Sequence, residues 1–324
     1  MTEKSAVVVG SMNMDLVAKT RRFPRPGETI VGESFYTSFG GKGANQAVTI
    51  ARLGLSVSFV GCVGDDAFGR EMVAHARNEG VETTHIRIAK GCPSGTALIV
   101  VNAEGENQII VIRGANNKLS PKDVDRAEEI IAHAAVVVAQ FEIPSETVQH
   151  AVGLAHKHGV PVILNPAPAL PHTIDSSLLR EADMLVPNEV EAEALSGVSA
   201  KNPDFAAETI RNLREKGVRT AIITLGEKGC VAADSRNEWR IPAFKIHVED
   251  TTAAGDAFVG ALAAGYHFFP DLQALARFAS TVAALTVTKK GAQSSLPNRQ
   301  EVEQFMMAHA PELLEKFRAM ARER

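Results

Sequence analysis

Val136-Val137-Val138-Ala139, then Ser145 to His158, then Gly159 and Val160-Pro161-Val162-Ile163-Leu164 form the stretch that decides the fold. A short run of β-branched residues without polar alternation suits a strand covered on both faces. The segment after it reads as a helix, and Gly159 stands where a helix ends, because glycine enters the left-handed conformation without steric cost. A second apolar run follows at once. Strand, helix and strand within roughly thirty residues describe a crossover between parallel strands.

The same rhythm extends in both directions. Apolar runs recur at Ala6 to Val9, Val57 to Val60, Met184 to Val186 and Ala221 to Leu225. Helical stretches lie at Ala44 to Leu53, Arg70 to Glu79 and Phe205 to Lys216, each stopped by a glycine: Gly54, Gly80 and Gly217. The expected fold is therefore α/β, a doubly wound, mostly parallel sheet with helices on both faces, in one domain over residues 1–324. Two stretches break the pattern. Leu16 to Phe39 contains Phe23-Pro24-Arg25-Pro26-Gly27, and Thr96 to Arg113 reads as extended runs at Ala97 to Val101 and Gln108 to Ile112 turning at Glu104-Gly105-Glu106. They predict a small β-sheet, from roughly 13–40 and 95–114, used as a flap over a cleft or as a dimer edge. The end, Arg299 to Arg324, reads as polar and helical with a break at Pro311.

Of the 324 residues, 45% are hydrophobic and 22% charged, and Lys+Arg 34 against Asp+Glu 38 leaves a net charge of −4. No basic field exists to hold nucleic acid or an anionic membrane, so neither is an expected partner. Cys62, Cys92 and Cys230 lie far apart with no CxxC pair, which suits a reducing compartment and buried thiols. The first apolar run is too short for a secretory signal, and a cytoplasmic location is expected.

Two phosphate-binding signatures fail. In GxxxxGK[ST] the lysine must precede Ser or Thr, but Gly41-Lys42 precedes Gly43; the dinucleotide pattern GxGxxG fails because Gly10 stands alone after the first strand. The informative segment is Asp250-Thr251-Thr252-Ala253-Ala254-Gly255-Asp256, running into Ala257 to Ala264. Small residues at 253 to 255 leave backbone amides uncovered at a helix start, whose positive end can hold phosphoryl charge. Asp256 in the first turn can take the proton of an attacking alcohol. The structural alternative is that Asp256 only complements the helix dipole while Thr252 caps. Small residues further along that helix suggest close packing on the sheet.

Phe39-Gly40-Gly41-Lys42-Gly43-Ala44-Asn45-Gln46 is a second glycine-rich helix entry, where backbone can approach a polar ligand and Lys42 and Asn45 supply donors. Asn13 and Asp15 follow the carboxyl end of the first strand, where open α/β sheets gather ligands. Asn188-Glu189-Val190-Glu191 can orient waters around Mg²⁺; a plain exposed helix start, with acids favoured by the dipole, is expected of Glu189 and Glu193 rather than of Asn188 or Glu191. Thr224-Leu225-Gly226-Glu227-Lys228-Gly229 is a strand ending in a glycine turn, suited to a nucleotide or to a simple hairpin.

The segments 40–46 and 250–256, in this order and separation, resemble the two signatures of the ribokinase-like carbohydrate kinase family, and the likeness runs from Gly10-Ser11 to Lys290-Gly291-Ala292-Gln293. It implies an ATP-dependent kinase for the 5-hydroxyl of D-ribose. In that family the equivalents of Asn13, Asp15, Gly41, Lys42, Asn45 and Glu142 surround the sugar, that of Asp256 is the base, and those of Ala253, Ala254 and Gly255 form the anion hole. Equivalents of Asn188, Thr224, Gly226, Gly229 and Ser280 lie along ATP, with Lys228 in the same turn, and Asn188 and Glu191 govern Mg²⁺. K⁺ is held at positions matching Asp250, Thr252, Thr286, Lys289, Gly291 and Ser295. The family's lid, which also makes a homodimer, matches the two interruptions. Ser280 departs from the histidine that some members carry, and Thr286 and Lys289 depart from one common pattern. A 2-deoxyribose kinase is the near alternative, in which the position of Asn13 tends to be apolar; a sugar-binding regulator without catalysis is the distant one.

Overall fold

Alternate residues of the inner strands enter opposite layers, as strands buried on both faces require. Ala6 and Val8 pack into one core and Val7 and Val9 into the other; Val136 and Val138 divide from Val137 and Ala139 in the same way. The structure, a computed structural model, describes residues 5–169, 176–269 and 271–320.

Across the large sheet the order is Glu238–Ile241, Cys230–Ala233, Ala221–Thr224, Met184–Leu185, Val162–Asn165, Val136–Gln140, Ser5–Val9, Ser56–Gly64 and Val81–Glu82, with Ile86–Ala89 also paired to Ser56–Gly64. Pairing is parallel except at the first two strands of that order. The chain leaves Ser5–Val9 for Ser56–Gly64 on one side and later crosses to Val136–Gln140 on the other. Strand order therefore reverses between Ser5–Val9 and Val136–Gln140, and a crevice opens beyond their carboxyl ends.

Helices Lys42–Arg52, Ala67–Asn78, Ala254–Gly265 and Leu272–Thr286 cover the face of Val8; Ser145–Lys157 and Phe205–Glu215 cover the face of Val7. The helix expected from Arg70 begins at Ala67, because the Asp66 carboxylate caps the Gly69 N–H at 2.8 Å. One expectation is extended and one corrected. The small residues of Ala254–Gly265 serve helix–helix as well as helix–sheet contact: a Cβ on Gly260 would stand 2.7 Å from Thr49 Cβ and 2.8 Å from the Gln46 carbonyl of the neighbouring helix. The terminal segment is not simply polar, since Val302, Met306, Leu313 and Phe317 enter the core; its residues 321–324 lie outside the described residues.

A second sheet stands apart, in the order Ser34–Gly40, Asn13–Lys19, Gly95–Val101 and Asn107–Ile112. This is the small sheet predicted from the two interruptions. Its outer strand Asn107–Ile112 is exposed along its whole length, and Phe35 and Ile110 are 65% and 63% exposed. Among the described residues no helix is long and apolar enough to cross a membrane.

Candidate active site

The two glycine motifs meet. Asn45 Nδ2 donates to Asp256 Oδ2 at 2.8 Å across 211 positions, with both residues buried. Asn45 stands in the first turn of Lys42–Arg52 and Asp256 in the first turn of Ala254–Gly265, so two helix N-termini converge on one crevice. A cleft of about 200 Å³ runs from Lys42 and Asp256 past Gly255 to Asn188, Glu191 and Thr224. It lies at the carboxyl edge of the parallel strands, where Asn165 ends one strand and Thr224 another.

Gly40, Gly41 and Gly43 are dictated by close packing. A Cβ on Gly41 would stand 2.7 Å from the Asn13 nitrogen, and Gly41 has φ 90. A Cβ on Gly43 would stand 2.7 Å from the Ser11 nitrogen, and one on Gly40 would overlap the Asp15 carboxylate. The loop is thereby pressed onto the segment after the first strand. Glu142, just past Val136–Gln140, fastens it: Glu142 Oε2 accepts from Ser11 Oγ at 2.5 Å and from the Lys42 N–H at 3.1 Å.

Asn13 is set by a residue the sequence reading missed. Asn116 Nδ2 donates to Asn13 Oδ1 at 2.7 Å, while Asn116 Oδ1 accepts from the Met12 N–H at 2.9 Å. With its oxygen committed, Asn13 has its amide hydrogens to offer an incoming oxygen. Gly95 makes room for this pair, since a Cβ there would overlap both amides.

The acids share one field. Burial, reinforced by Glu142 and Asp256, raises Asp15 to about 7. Burial also raises Asp256, against the opposing pull of the Lys42 ammonium and hydrogen bonds from Asn45 and Gln46. For Lys42, burial alone would lower the pKa; Asp256, Glu142 and Glu191 outweigh it and hold the ammonium above its ordinary value. A charged lysine thus faces three carboxylates at one end of the cleft.

At the helix entry Ala253 has φ 60, the only non-glycine with positive φ among the described residues. Thr252 does not cap the helix, contrary to the structural alternative. Its N–H and hydroxyl both bond Asp250 Oδ1, at 2.9 and 2.6 Å, and no side chain caps the start. The amides of Ala254 and Gly255 therefore begin the helix without a side-chain cap, and a Cβ on Gly255 would meet nothing within 4 Å.

Asn188 and Glu191 cap the helix Glu189–Ser196 reciprocally, a structural role that the sequence reading did not give them. Asn188 Oδ1 accepts from the Glu191 N–H at 2.9 Å, and Glu191 Oε2 accepts from the Asn188 N–H at 2.9 Å. Glu191 is buried all the same, and burial raises its pKa. Glu189 and Glu193 make no such cap; Glu189 lies 3.9 Å from Lys228 Nζ.

The remaining residues expected at the site divide into two groups. Asp250 Oδ2 accepts from the Gly291 N–H at 2.9 Å, so Asp250, Thr252 and Gly291 are joined. Thr286 O accepts from the Lys289 N–H, and Ser295 Oγ donates to the Ala292 carbonyl, in the loop that follows. Beyond Thr224, Gly226 and Lys228 form a turn between two antiparallel strands, so the hairpin reading holds as well. Gly229 is required there, as a Cβ would overlap the Ile241 carbonyl. Lys228 is exposed, and Ser280 Oγ is bonded to the Ala276 carbonyl at 2.9 Å; neither lines the cleft.

Comparison with known proteins agrees with this geometry. The sequence profile described as pfkB family carbohydrate kinase matches residues 3–299. A deoxyribokinase of Salmonella typhi is 40% identical over 299 residues, covering 92% of this chain and 97% of its own. A ribokinase of Haemophilus influenzae is 40% identical over 303 residues, covering 94% and 98%. The solved structure of Arabidopsis thaliana ribokinase complexed with ribose and ATP superimposes with a TM-score of 0.86 at 33% identity, covering 94% of this chain and 99% of that one. With both signatures converging in one cleft and the whole fold matched, the chain belongs to the pfkB family and is a carbohydrate kinase.

Proposed function

We propose that the protein transfers the γ-phosphoryl group of ATP to the 5-hydroxyl of D-ribose, with Asp256 as base. The observation that carries this reading is the Asn45–Asp256 bond, which joins the sugar-side helix entry to the phosphate-side one. Asn13, Asp15, Gly41, Lys42, Asn45 and Glu142 hold the sugar. Asp256 accepts the proton of the attacking hydroxyl, and the amides of Ala253, Ala254 and Gly255 receive the developing charge. ATP lies along Asn188 and Thr224, with the Gly226 to Gly229 turn and Ser280 continuing that edge.

The donor sets suit the expected ions. Asp250, Thr252, Thr286, Lys289, Gly291 and Ser295 offer carboxylate, hydroxyl and carbonyl oxygens on adjoining turns, which match a hard monovalent cation such as K⁺. Bound with ATP, Mg²⁺ supplies charge neutralisation on the phosphates; Glu191, locked by Asn188, orients water towards it, as an ion that keeps several waters requires. The small sheet serves as the lid, and its exposed apolar surface fits a second copy of the chain.

Ribose is favoured over 2-deoxyribose by the clamped carboxamide of Asn13, which bonds a secondary hydroxyl and leaves an unmatched polar group when that hydroxyl is missing. The deoxyribokinase relative keeps the second reading in play. Release of ADP with ribose, 2-deoxyribose and fructose tests both: ribose should have the highest kcat/KM, and a preference for 2-deoxyribose overturns the assignment. Asp256→Asn should retain sugar and ATP binding while kcat falls roughly 10² to 10⁴-fold. Near-normal turnover would remove Asp256 from the chemistry.

A further inference from the structure

Asn116 makes three side-chain hydrogen bonds that leave its carboxamide no freedom to turn over. Oδ1 accepts from the Met12 N–H at 2.9 Å, while Nδ2 donates to the Met12 carbonyl at 3.1 Å and to Asn13 Oδ1 at 2.7 Å. A backbone N–H only donates and a backbone carbonyl only accepts, so Met12 settles which end of the amide is which. Turned over, Asn116 would set donor against donor and acceptor against acceptor. At 1% exposure it offers no surface to a ligand, so any effect on one passes through Asn13.

The polarity passes to Asn13, whose side chain makes no second hydrogen bond among the described residues. Its oxygen is taken, and its amide hydrogens stay free. Gly95, paired with Asn13, carries no side chain and so leaves room for the two amides to meet. Two residues further along the same strand, Asp15 shares the face of Asn13, and its carboxylate packs over Gly40, the pairing partner of Asn13 on the other side. A buried donor and a buried acceptor therefore stand together on one strand.

We infer that Asn116 is a positioning residue that sets sugar specificity: it holds Asn13 as a donor beside the acceptor Asp15, the orientation in which both can bind one hydroxyl. The inference rests on Asn13 and Asp15 holding the sugar of the proposed reaction. A hydroxyl has a single hydrogen, and an ionised carboxylate can only accept it. Once that hydrogen is given to Asp15, the hydroxyl oxygen needs a donor, which Asn13 supplies while Asn116 takes its oxygen. Without Asn116 the Asn13 amide can turn over, and two acceptors then compete for one hydrogen. A sugar lacking the hydroxyl loses nothing by that turn, so the preference between the two sugars is what Asn116 controls.

Asn116→Leu removes the clamp; Asn116→Asp keeps the acceptor for the Met12 N–H and puts a second acceptor against Asn13 Oδ1. Both should lower the ratio of kcat/KM for D-ribose to that for 2-deoxyribose roughly tenfold or more, read by ADP release at about pH 8, where Asp15 is ionised. The two sugars are compared in one preparation, so the ratio is independent of how much of it is folded. Asn13→Leu should lower the ratio by itself, and adding Asn116→Leu to it should change the ratio no further. An unchanged ratio in both single variants, with the parent preferring ribose, would overturn the role of Asn116 and leave the sugar assignment standing; activity lost equally for both sugars is that result and makes Asn116 structural. A further fall in the double variant would overturn it too, because Asn116 would then act past Asn13. A parent that prefers 2-deoxyribose would strike the reading underneath.

Discussion

Replacing Asp15 by Asn should make the sugar-free protein more stable and the enzyme worse. Asp15 is 9% exposed, and burial with Glu142 and Asp256 nearby raises it from 3.8 to about 7. With the folded pKa above the unfolded one, the folded protein binds more protons between about pH 4 and pH 7. Stability therefore falls as pH rises through that window, and the whole penalty is present above pH 7. Three units at ~1.4 kcal/mol each set a ceiling of about 4 kcal/mol. For a chain of this length the entropy of unfolding is roughly 0.7 kcal/mol/K, so that ceiling corresponds to about 6 °C. Asn keeps the size and loses the charge. Thermal melts without ligand should place Asp15→Asn up to about 6 °C above the parent at pH 8 and close to it at pH 4. Adding D-ribose should raise the melting point of the parent far more than that of the variant, because in the proposed function the Asp15 carboxylate accepts a sugar hydroxyl. Equal melting points at pH 8, or a gap that widens towards acid, would refute the reasoning.

Gly255→Ala tests the anion hole. Its Cβ meets no protein atom within 4 Å, so the melting temperature should hardly move, while a methyl group in the path of the phosphoryl group should lower kcat roughly 10 to 10²-fold in an ADP-release assay. Wild-type kcat in a folded variant would place the phosphoryl group elsewhere. Ile110→Lys puts a charge on the outer strand of the small sheet; in sedimentation the parent should run as the proposed dimer and the variant as a monomer. A dimer that survives the change would exclude that surface as the interface.

The inner strands were legible because each is buried on both sides and reads as an unbroken apolar run; Val136 to Ala139 is the clearest case. The strands Cys230–Ala233 and Glu238–Ile241 were not: each is only four residues long, and Glu238–Ile241, the antiparallel edge, is of mixed composition. Helices Pro121–Asp125 and Glu128–Ala132 are too short to establish a period. At the site, the glycine motifs announced themselves by spacing. Asn116 and Asn165 did not, because amides follow no spacing rule and their partners stand 103 and 119 positions away. Asn188 and Glu191 were legible as a pair, but their mutual cap was visible only once both ends of the bond were in view.

The small sheet begins at Asn13, paired with Gly40 on one side and Gly95 on the other, and includes Asp15, whereas Asp256 rides on a helix packed against the large sheet. Two of the groups proposed to grip the acceptor, Asn13 and Asp15, therefore stand on a different sheet from the proposed base, while Asn45 bonds that base from the large one. If the small sheet acts as the proposed lid, a swing would carry Asn13 and Asp15 away from Asp256, and reactivity would depend on an acceptor large enough to draw the two together. On the proposed function, water is too small to span the two sheets, and ATP hydrolysis without sugar should be slow beside transfer to sugar.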